Sequence, residues 1–375
     1  MTSIPTRQID FLPSRVATFE GEEYLFFSGT SYLGIGHQAY FKTALLEGMN
    51  RYGTVFSASR NNNLQLKIYE EAEAFLANWT RAEAALTVTS GLLAGQLAVN
   101  LLKNNISTNN QKPVFIYAPS AHPAVWEAPP QYIFKNQEDF ETNILTTIEK
   151  EKDAPLIIVA NAVDMLTCQH FDFTWIAQVP DNQNITLLID DSHGIGITEK
   201  NGAGIFQKIR ALVQPNIKVV VIASLAKALG IPGGVILSDK KTIAAIRQNP
   251  LFVGASPIVP AYLSAFLAAQ PMYLQARQTL SNNIQLFKNL LEKNAAALFQ
   301  TPLENYPVFF SAANDLFDFL LAEKIFISHF AYPKPNDPPI TRVVLSALHT
   351  QVDIEYLAAK VNAFSNLQTT KPARF

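Results

Sequence analysis

Unbroken apolar runs bounded by polar or turn-forming residues punctuate the middle of the chain: Val114–Ala118, Leu156–Ala160, Ile185–Asp190 and Val219–Ala223. A strand open to water on one face alternates apolar and polar residues, so continuous runs suit a mostly parallel sheet covered on both faces. Stretches of helical length lie between them, including Gln137–Lys150 and the region around Phe173–Pro180, and the alternation is that of an α/β protein. The run Gly233–Ser238 follows Val219–Ala223 too closely for a crossover helix and is expected to return antiparallel. Upstream, Ile68–Trp79 reads as a helix, Ala84–Val88 as a strand, and Ser90-Gly91 opens a further helix through Leu102. Downstream, Pro257–Pro260 marks a boundary, followed by one long helix from Tyr262 to about Phe299. Strands are then expected at Val308–Ser311, Ile325–Phe330 and Val343–Ala347, a loop at Pro333–Pro339, and a last helix over Val352–Phe364. The expected division is an N-terminal segment over 1–45, a large α/β domain over 46–260 and a small α+β domain over 261–375, which the N-terminal residues join.

Composition narrows this picture. Of 375 residues, 48% are hydrophobic and only 16% charged, against about 25% charged in ordinary globular domains. Much surface is therefore buried, and a subunit interface is one way to bury it. Lys plus Arg number 29 and Asp plus Glu 31, a formal charge of −2, which argues against a nucleic-acid partner because phosphate neutralisation needs a basic face. A single cysteine, Cys168, excludes an intramolecular disulfide and a cysteine-based zinc cluster. No basic run with an apolar core opens the sequence, and no run approaches the roughly 18 apolar residues of a membrane span. The expectation is a cytoplasmic protein with no membrane partner.

Ligands of open α/β sheets sit beyond the carboxyl ends of the strands, so the residues there are the candidates. Asp190 ends one strand: its carboxylate either faces the crevice, where it can hold a heteroaromatic nitrogen protonated, or caps the next turn. Lys227 follows another strand in apolar company. It is either a desolvated nucleophile suited to Schiff-base chemistry or a lysine whose stem packs while its head reaches water. Ser90-Gly91-Leu92 begins a helix, where free N–H groups suit a phosphate, though serine is also an ordinary N-cap. His122 can stack on a flat ring or serve a structural role. Each signal has a plain structural alternative; their order along the chain is more telling.

That order resembles the α-oxoamine synthases, fold-type I pyridoxal-phosphate enzymes related to class II aminotransferases, from Tyr32 to about Ala261. The family's Tyr-Leu-Gly appears as Tyr32-Leu33-Gly34, its Ser-Gly phosphate turn as Ser90-Gly91 and its ring-stacking residue as His122. Its Asp-x-x-His-Gly appears as Asp190 to Gly194, and its Ser/Thr-x-x-Lys as Ser224 and Lys227. Leu345–Thr350 is similar to the small-domain strand, with Arg342 where a substrate-carboxylate arginine lies. The resemblance implies an α/β fold with a mostly parallel seven-stranded sheet flanked by helices and a smaller C-terminal α+β domain. It implies pyridoxal 5'-phosphate held by Lys227, its ring nitrogen by Asp190, its 3-hydroxyl by His193 and its face by His122. Ser90, Gly91, Leu92 and Ser224 would hold the phosphate, joined by Ser256 from the neighbouring subunit of a homodimer.

The activity implied is condensation of an amino acid with an acyl-CoA thioester and loss of carbon dioxide. The short chain fits L-alanine and a pimeloyl thioester; glycine with acetyl-CoA, plain transamination, or a cofactor-binding protein without turnover are the alternatives. Lys227 and His122 would handle protons, and Arg7, Arg15 and Arg60 are candidate contacts for the acyl carboxylate or CoA. Departures cluster around substrate and phosphate: Asn161 replaces an acid, Met165 a serine, Thr30-Ser31 an Asn-Asp pair and Tyr69 a histidine, while Ser57–Asn63 is poor in glycine.

Overall fold

The computed structural model describes residues 7–104, 111–151, 154–164, 169–181, 183–300, 304–331 and 337–370. Along the chain run β1 (Val16–Phe19), β2 (Glu22–Phe27), α1 (Ala39–Tyr52), α2 (Lys67–Thr80), β3 (Ala84–Val88), α3 (Gly91–Lys103), β4 (Val114–Tyr117), α4 (Gln137–Lys150), β5 (Leu156–Asn161) and β6 (Ile185–Asp190). There follow α5 (Phe206–Leu212), β7 (Lys218–Ser224), β8 (Gly234–Ser238), α6 (Lys240–Arg247), α7 (Pro250–Gly254), α8 (Pro260–Ala268), α9 (Gln270–Leu290) and α10 (Lys293–Ala296). The chain continues with β9 (Val308–Ser311), α11 (Asp315–Ala322), β10 (Ile325–Ala331), β11 (Pro339–Val344) and α12 (Gln351–Thr370). Two compact units result: one comprises the described residues of 38–165 and 170–271, the other those of 1–37 and 272–375 together with Gln169. No helix among the described residues is long and apolar enough to cross a membrane.

The larger unit is built on a sheet of order β3-β8-β7-β6-β5-β4. Strands β4 to β7 run parallel, and β8 returns antiparallel to both β7 and β3, as the short connection required. Every residue of β5, β6 and β8 is buried, which is why these segments are apolar without alternation. One core cluster joins Leu86, Leu97, Val99, Leu188, Val220 and Ile236 from four strands and α3, and each such side chain contributes about 1.5–3 kcal/mol on burial. Among the described residues six strands form this sheet, where the resemblance implied seven. Beyond the β4 edge, Tyr132–Phe134 is apolar but follows Pro129-Pro130 and enters no ladder; proline supplies no ladder N–H.

The smaller unit holds a sheet of order β1-β2-β10-β11-β9. Its first two strands form a hairpin about Glu20 and Gly21, both at positive φ (55° and 78°). β2 then pairs in parallel with β10, while β10, β11 and β9 run antiparallel in turn. The expected strand at Val343–Ala347 instead begins at Pro339 and ends at Val344. Beyond it, local side-chain bonds fold the chain: His349 Nδ1 accepts from the Ser346 N–H at 3.0 Å, and Asp353 Oδ2 from Thr350 N–H at 2.7 Å. Most of the Pro333–Pro339 loop lies outside the described residues.

The long helix expected from Tyr262 to Phe299 is three helices, α8 to α10. Its first break falls at Ala269 (φ −91°, ψ 10°), just before Gln270-Pro271, because proline cannot donate to the helix ladder and restricts the residue before it. Around Phe173–Pro180 only a short 3₁₀ turn forms, over Thr174–Gln178.

Candidate active site

Parallel strands bring their carboxyl ends to one edge of the larger sheet. Asn161 and Asp190 are direct partners across β5 and β6, and Ser224 pairs with Gly234 across β7 and β8. Val88, the last residue of β3, also pairs with Gly234, so the start of α3 emerges at the same edge. Ser90 is the N-cap of α3: its Oγ accepts from Leu93 N–H at 3.1 Å. The N–H groups of Gly91 and Leu92 in that first turn have no helical acceptor, and with the helix dipole they form an anion site. Gly91 is needed here for space. A Cβ would lie 2.8 Å from Ser224 Cβ and 2.9 Å from its Cα, so glycine lets the first turn of α3 lie against the end of β7. The Leu92 side chain is exposed, and only its backbone serves this site.

Asp190 is buried at the end of β6. Its Oδ1 accepts from Ser192 N–H at 2.9 Å, while Oδ2 accepts no hydrogen bond from the described residues and stands 3.6 Å from His122 Nδ1. That imidazole nitrogen accepts from Ala124 N–H at 3.1 Å, so the neutral ring carries its proton on Nε2. Burial pulls the His122 pKa below the ordinary value, opposed by the Asp190 carboxylate and reinforced by the Lys227 charge. Lys227, half-buried in the turn after β7, places Nζ 2.8 Å from His193 Nε2. The turn is closed by Leu225 N–H to Gly233 O (2.9 Å) and Ile231 N–H to Leu225 O (3.1 Å). Ser192 joins the strands: its Oγ accepts from Ser224 N–H at 2.8 Å. The edge thus gathers Ser90 to Leu92, His122, Asp190, His193, Ser224 and Lys227.

Other candidates lie elsewhere or are otherwise engaged. Ser256 is exposed on the segment between α7 and α8. Arg342 belongs to the smaller unit, buried on β11 with its guanidinium 5.2 Å from the Phe330 ring centre. Arg60 is no substrate contact: it is buried against Glu73 (3.0 and 3.2 Å) and lies over Tyr69 at 4.0 Å. Arg15 pairs with Asp353 at 2.7 Å. Tyr69, in place of a histidine, donates its hydroxyl proton to Ile258 O at 2.8 Å. Met165 lies outside the described residues.

Two further residues owe their place to contacts that spacing does not show. Asp191, next to Asp190, is fully enclosed; its Oδ2 accepts from Ile205 N–H at 2.8 Å, and burial pushes its pKa up to about 8. The apolar strand before it was the only signal of that burial. Asn161 is bonded to the turn that carries His122, a link between distant segments that spacing does not reveal. No group of His, Cys, Asp and Glu among the described residues could hold a metal ion.

The donor set fits pyridoxal phosphate. An amine for the aldehyde carbon, a buried carboxylate oxygen free for a protonated ring nitrogen, an imidazole face and a helix N-terminus kept open by Gly91 meet at one sheet edge. Sheet order and site together define the fold of the fold-type I pyridoxal-phosphate enzymes. A solved serine palmitoyltransferase from Sphingomonas wittichii superposes over 98% of this chain and 93% of its own, with TM-score 0.78 and 17% identity. The solved 8-amino-7-oxononanoate synthase from Francisella tularensis covers 92% and 99%, with TM-score 0.67 and 19% identity. The chain belongs to the aminotransferase class I and II family, whose model matches residues 42–361. In sequence it is 24% identical over 371 residues to the 8-amino-7-oxononanoate synthase of Petrotoga mobilis, covering 95% of this chain and 92% of that protein. To the synthase of the same name from Aliivibrio fischeri ES114 it is 25% identical, covering 92% and 89%.

Proposed function

We propose that the protein is a pyridoxal-phosphate-dependent α-oxoamine synthase that joins L-alanine to a pimeloyl thioester, releasing carbon dioxide and the thiol and giving 8-amino-7-oxononanoate. The observation that carries this reading is the Lys227 amine 2.8 Å from His193 Nε2, at the edge where Asp190 and the start of α3 also end. The relatives above, similar along nearly their whole length, are named for that product, and L-alanine with a pimeloyl thioester is the pair that yields it on loss of carbon dioxide. When bound, the cofactor supplies an electron sink for the carbon that loses carboxylate.

The rest is work for this chain's residues. Lys227 Nζ is the nucleophile that holds the cofactor, and His193 Nε2 shares its proton. Asp190 Oδ2, buried and without a donor of its own, favours a protonated ring nitrogen. His122 presents the neutral imidazole that its burial favours. Gly91 and Leu92 N–H groups and the Ser224 hydroxyl take the phosphate. The same reading makes the protein a cytoplasmic homodimer. Supporting this are exposed apolar side chains of the larger unit, among them Val55, Leu64, Leu251 and Val253, on segments tied together by Ser59 Oγ donating to Val253 O at 2.8 Å. Exposed Ser256 follows closely and would reach the partner's phosphate.

Absorbance of the purified protein with pyridoxal phosphate tests this. A visible band should form, disappear in Lys227→Ala, and shift on adding L-alanine, with pimeloyl-CoA consumed only when alanine is present. A response to glycine and acetyl-CoA alone would move the assignment to glycine acetyl transfer. No visible band would remove the cofactor assignment altogether.

A further inference from the structure

The geometry points to Asn161 as the residue that positions His122. Asn161 is the last residue of β5, buried, in register with Asp190. Its side-chain amide spans the turn that leads to His122: Oδ1 accepts from His122 N–H at 3.1 Å, and Nδ2 donates to Ser120 O at 2.7 Å. Ser120, whose carbonyl accepts one of those bonds, sits at φ 60°, a left-handed conformation that a non-glycine residue holds only when its surroundings impose it. The amide therefore offsets the cost of the turn that aims the imidazole.

Further along, the segment is fastened by other bonds. Trp126 Nε1 donates to Ala121 O at 2.7 Å, and Gln96 Nε2 donates to Ala124 O and Trp126 O at 3.0 and 3.2 Å. The Trp126 bond, with Tyr132 Oη donating to Ala121 O at 3.2 Å, holds the peptide group between Ala121 and His122, and Gln96 fixes the far side of the loop; among the described residues only Asn161 bonds both Ser120 and His122. With its backbone held by Asn161 and its Nδ1 engaged by Ala124 N–H, His122 has one orientation and one neutral tautomer. Only an amide meets both demands, since a carboxylate accepts but cannot donate to Ser120 O. The change from acid to amide at this position thus has a structural purpose in this chain. The consequence for catalysis rests on the reading of His122 as the residue over the cofactor ring; the positioning itself does not.

The test is nitrogen-15 NMR of the full chain labelled at histidine, without added cofactor, with His122→Gln to assign the signal. Wild type should show His122 as the Nε2-protonated tautomer. Asn161→Ala and Asn161→Asp should shift that signal toward mixed tautomers, and with cofactor their turnover should fall about 100-fold, the scale of a misplacement near 1 Å. Asn161→Asp preserves shape and carries the test if the alanine variant unfolds. A His122 signal superimposed on wild type in both variants overturns the proposal, as does full turnover with a shifted signal. Failure of the cofactor assignment shows itself separately, as an absent visible band in wild type, and leaves the NMR result standing.

Discussion

Two adjacent acids at the end of β6 have opposite environments. Asp190 meets a histidine and keeps one oxygen without a donor, whereas Asp191 is walled in: a Cβ on Gly194 or Gly204 would lie 1.9 or 2.2 Å from its carboxylate oxygens. With one oxygen bonded to Ile205 N–H and Oδ1 without a partner, Asp191 favours the protonated acid, and its folded pKa rises to about 8 from an ordinary value near 3.8. The linkage has a definite sign. Below about pH 4 both states are protonated and the group costs nothing. As pH rises, the unfolded chain releases the proton while the folded chain holds it, so stability declines until pH passes about 8. Asp191→Asn keeps an acceptor for Ile205 and removes the charge. Its thermal midpoint should match wild type near pH 4 and exceed it increasingly toward pH 8, by several degrees; parallel curves across that range would discard the account.

Among the elements, α3 shows how much one glycine governs. Gly91→Ala would place a methyl group within 2.8 Å of Ser224 and push the first turn off β7, at a cost of about 1–3 kcal/mol. Weaker binding of pyridoxal phosphate, read from absorbance titration, is expected with the remaining fold intact; unchanged affinity would mean the first turn does not hold the phosphate. The buried strands of the larger sheet were legible because two-sided cover demands unbroken apolar runs, and β3 to β8 fall where those runs lie. Asp190, Lys227 and Ser90 were legible because they follow such runs. Elements without that pressure were missed: α1 carries exposed Tyr40, Leu46 and Met49 that blur its polar face, and the β1–β2 hairpin is announced only by Glu20-Gly21. Arg60 misled because spacing shows a cation but not its buried partner, Glu73.

At the scale of the whole molecule, low charge and exposed apolar side chains belong together. Leu64 and Val253 retain 74% and 38% of their accessible surface, apolar surface that a subunit interface would cover. On the proposed homodimer, the double substitution Leu64→Glu with Val253→Glu should give a monomer by light scattering, and with Ser256 then withdrawn from the neighbouring site the cofactor should bind more weakly. A mass that does not change on substitution would place the interface elsewhere.

The parallel pairing of β2 with β10, Leu25 beside Ile325, also has a consequence in time. Strands made first wait for a partner made some 300 residues later, roughly 15–60 s at a synthesis rate of about 5–20 residues per second. Throughout that interval the emerging chain carries Tyr24, Leu25, Phe26 and Phe27 along an open strand edge, and the strands of the larger sheet, β3 to β8, are all made before it ends. Translation therefore supplies every strand of the larger sheet, through Ser238, before β10 emerges to cover the β2 edge of the smaller one.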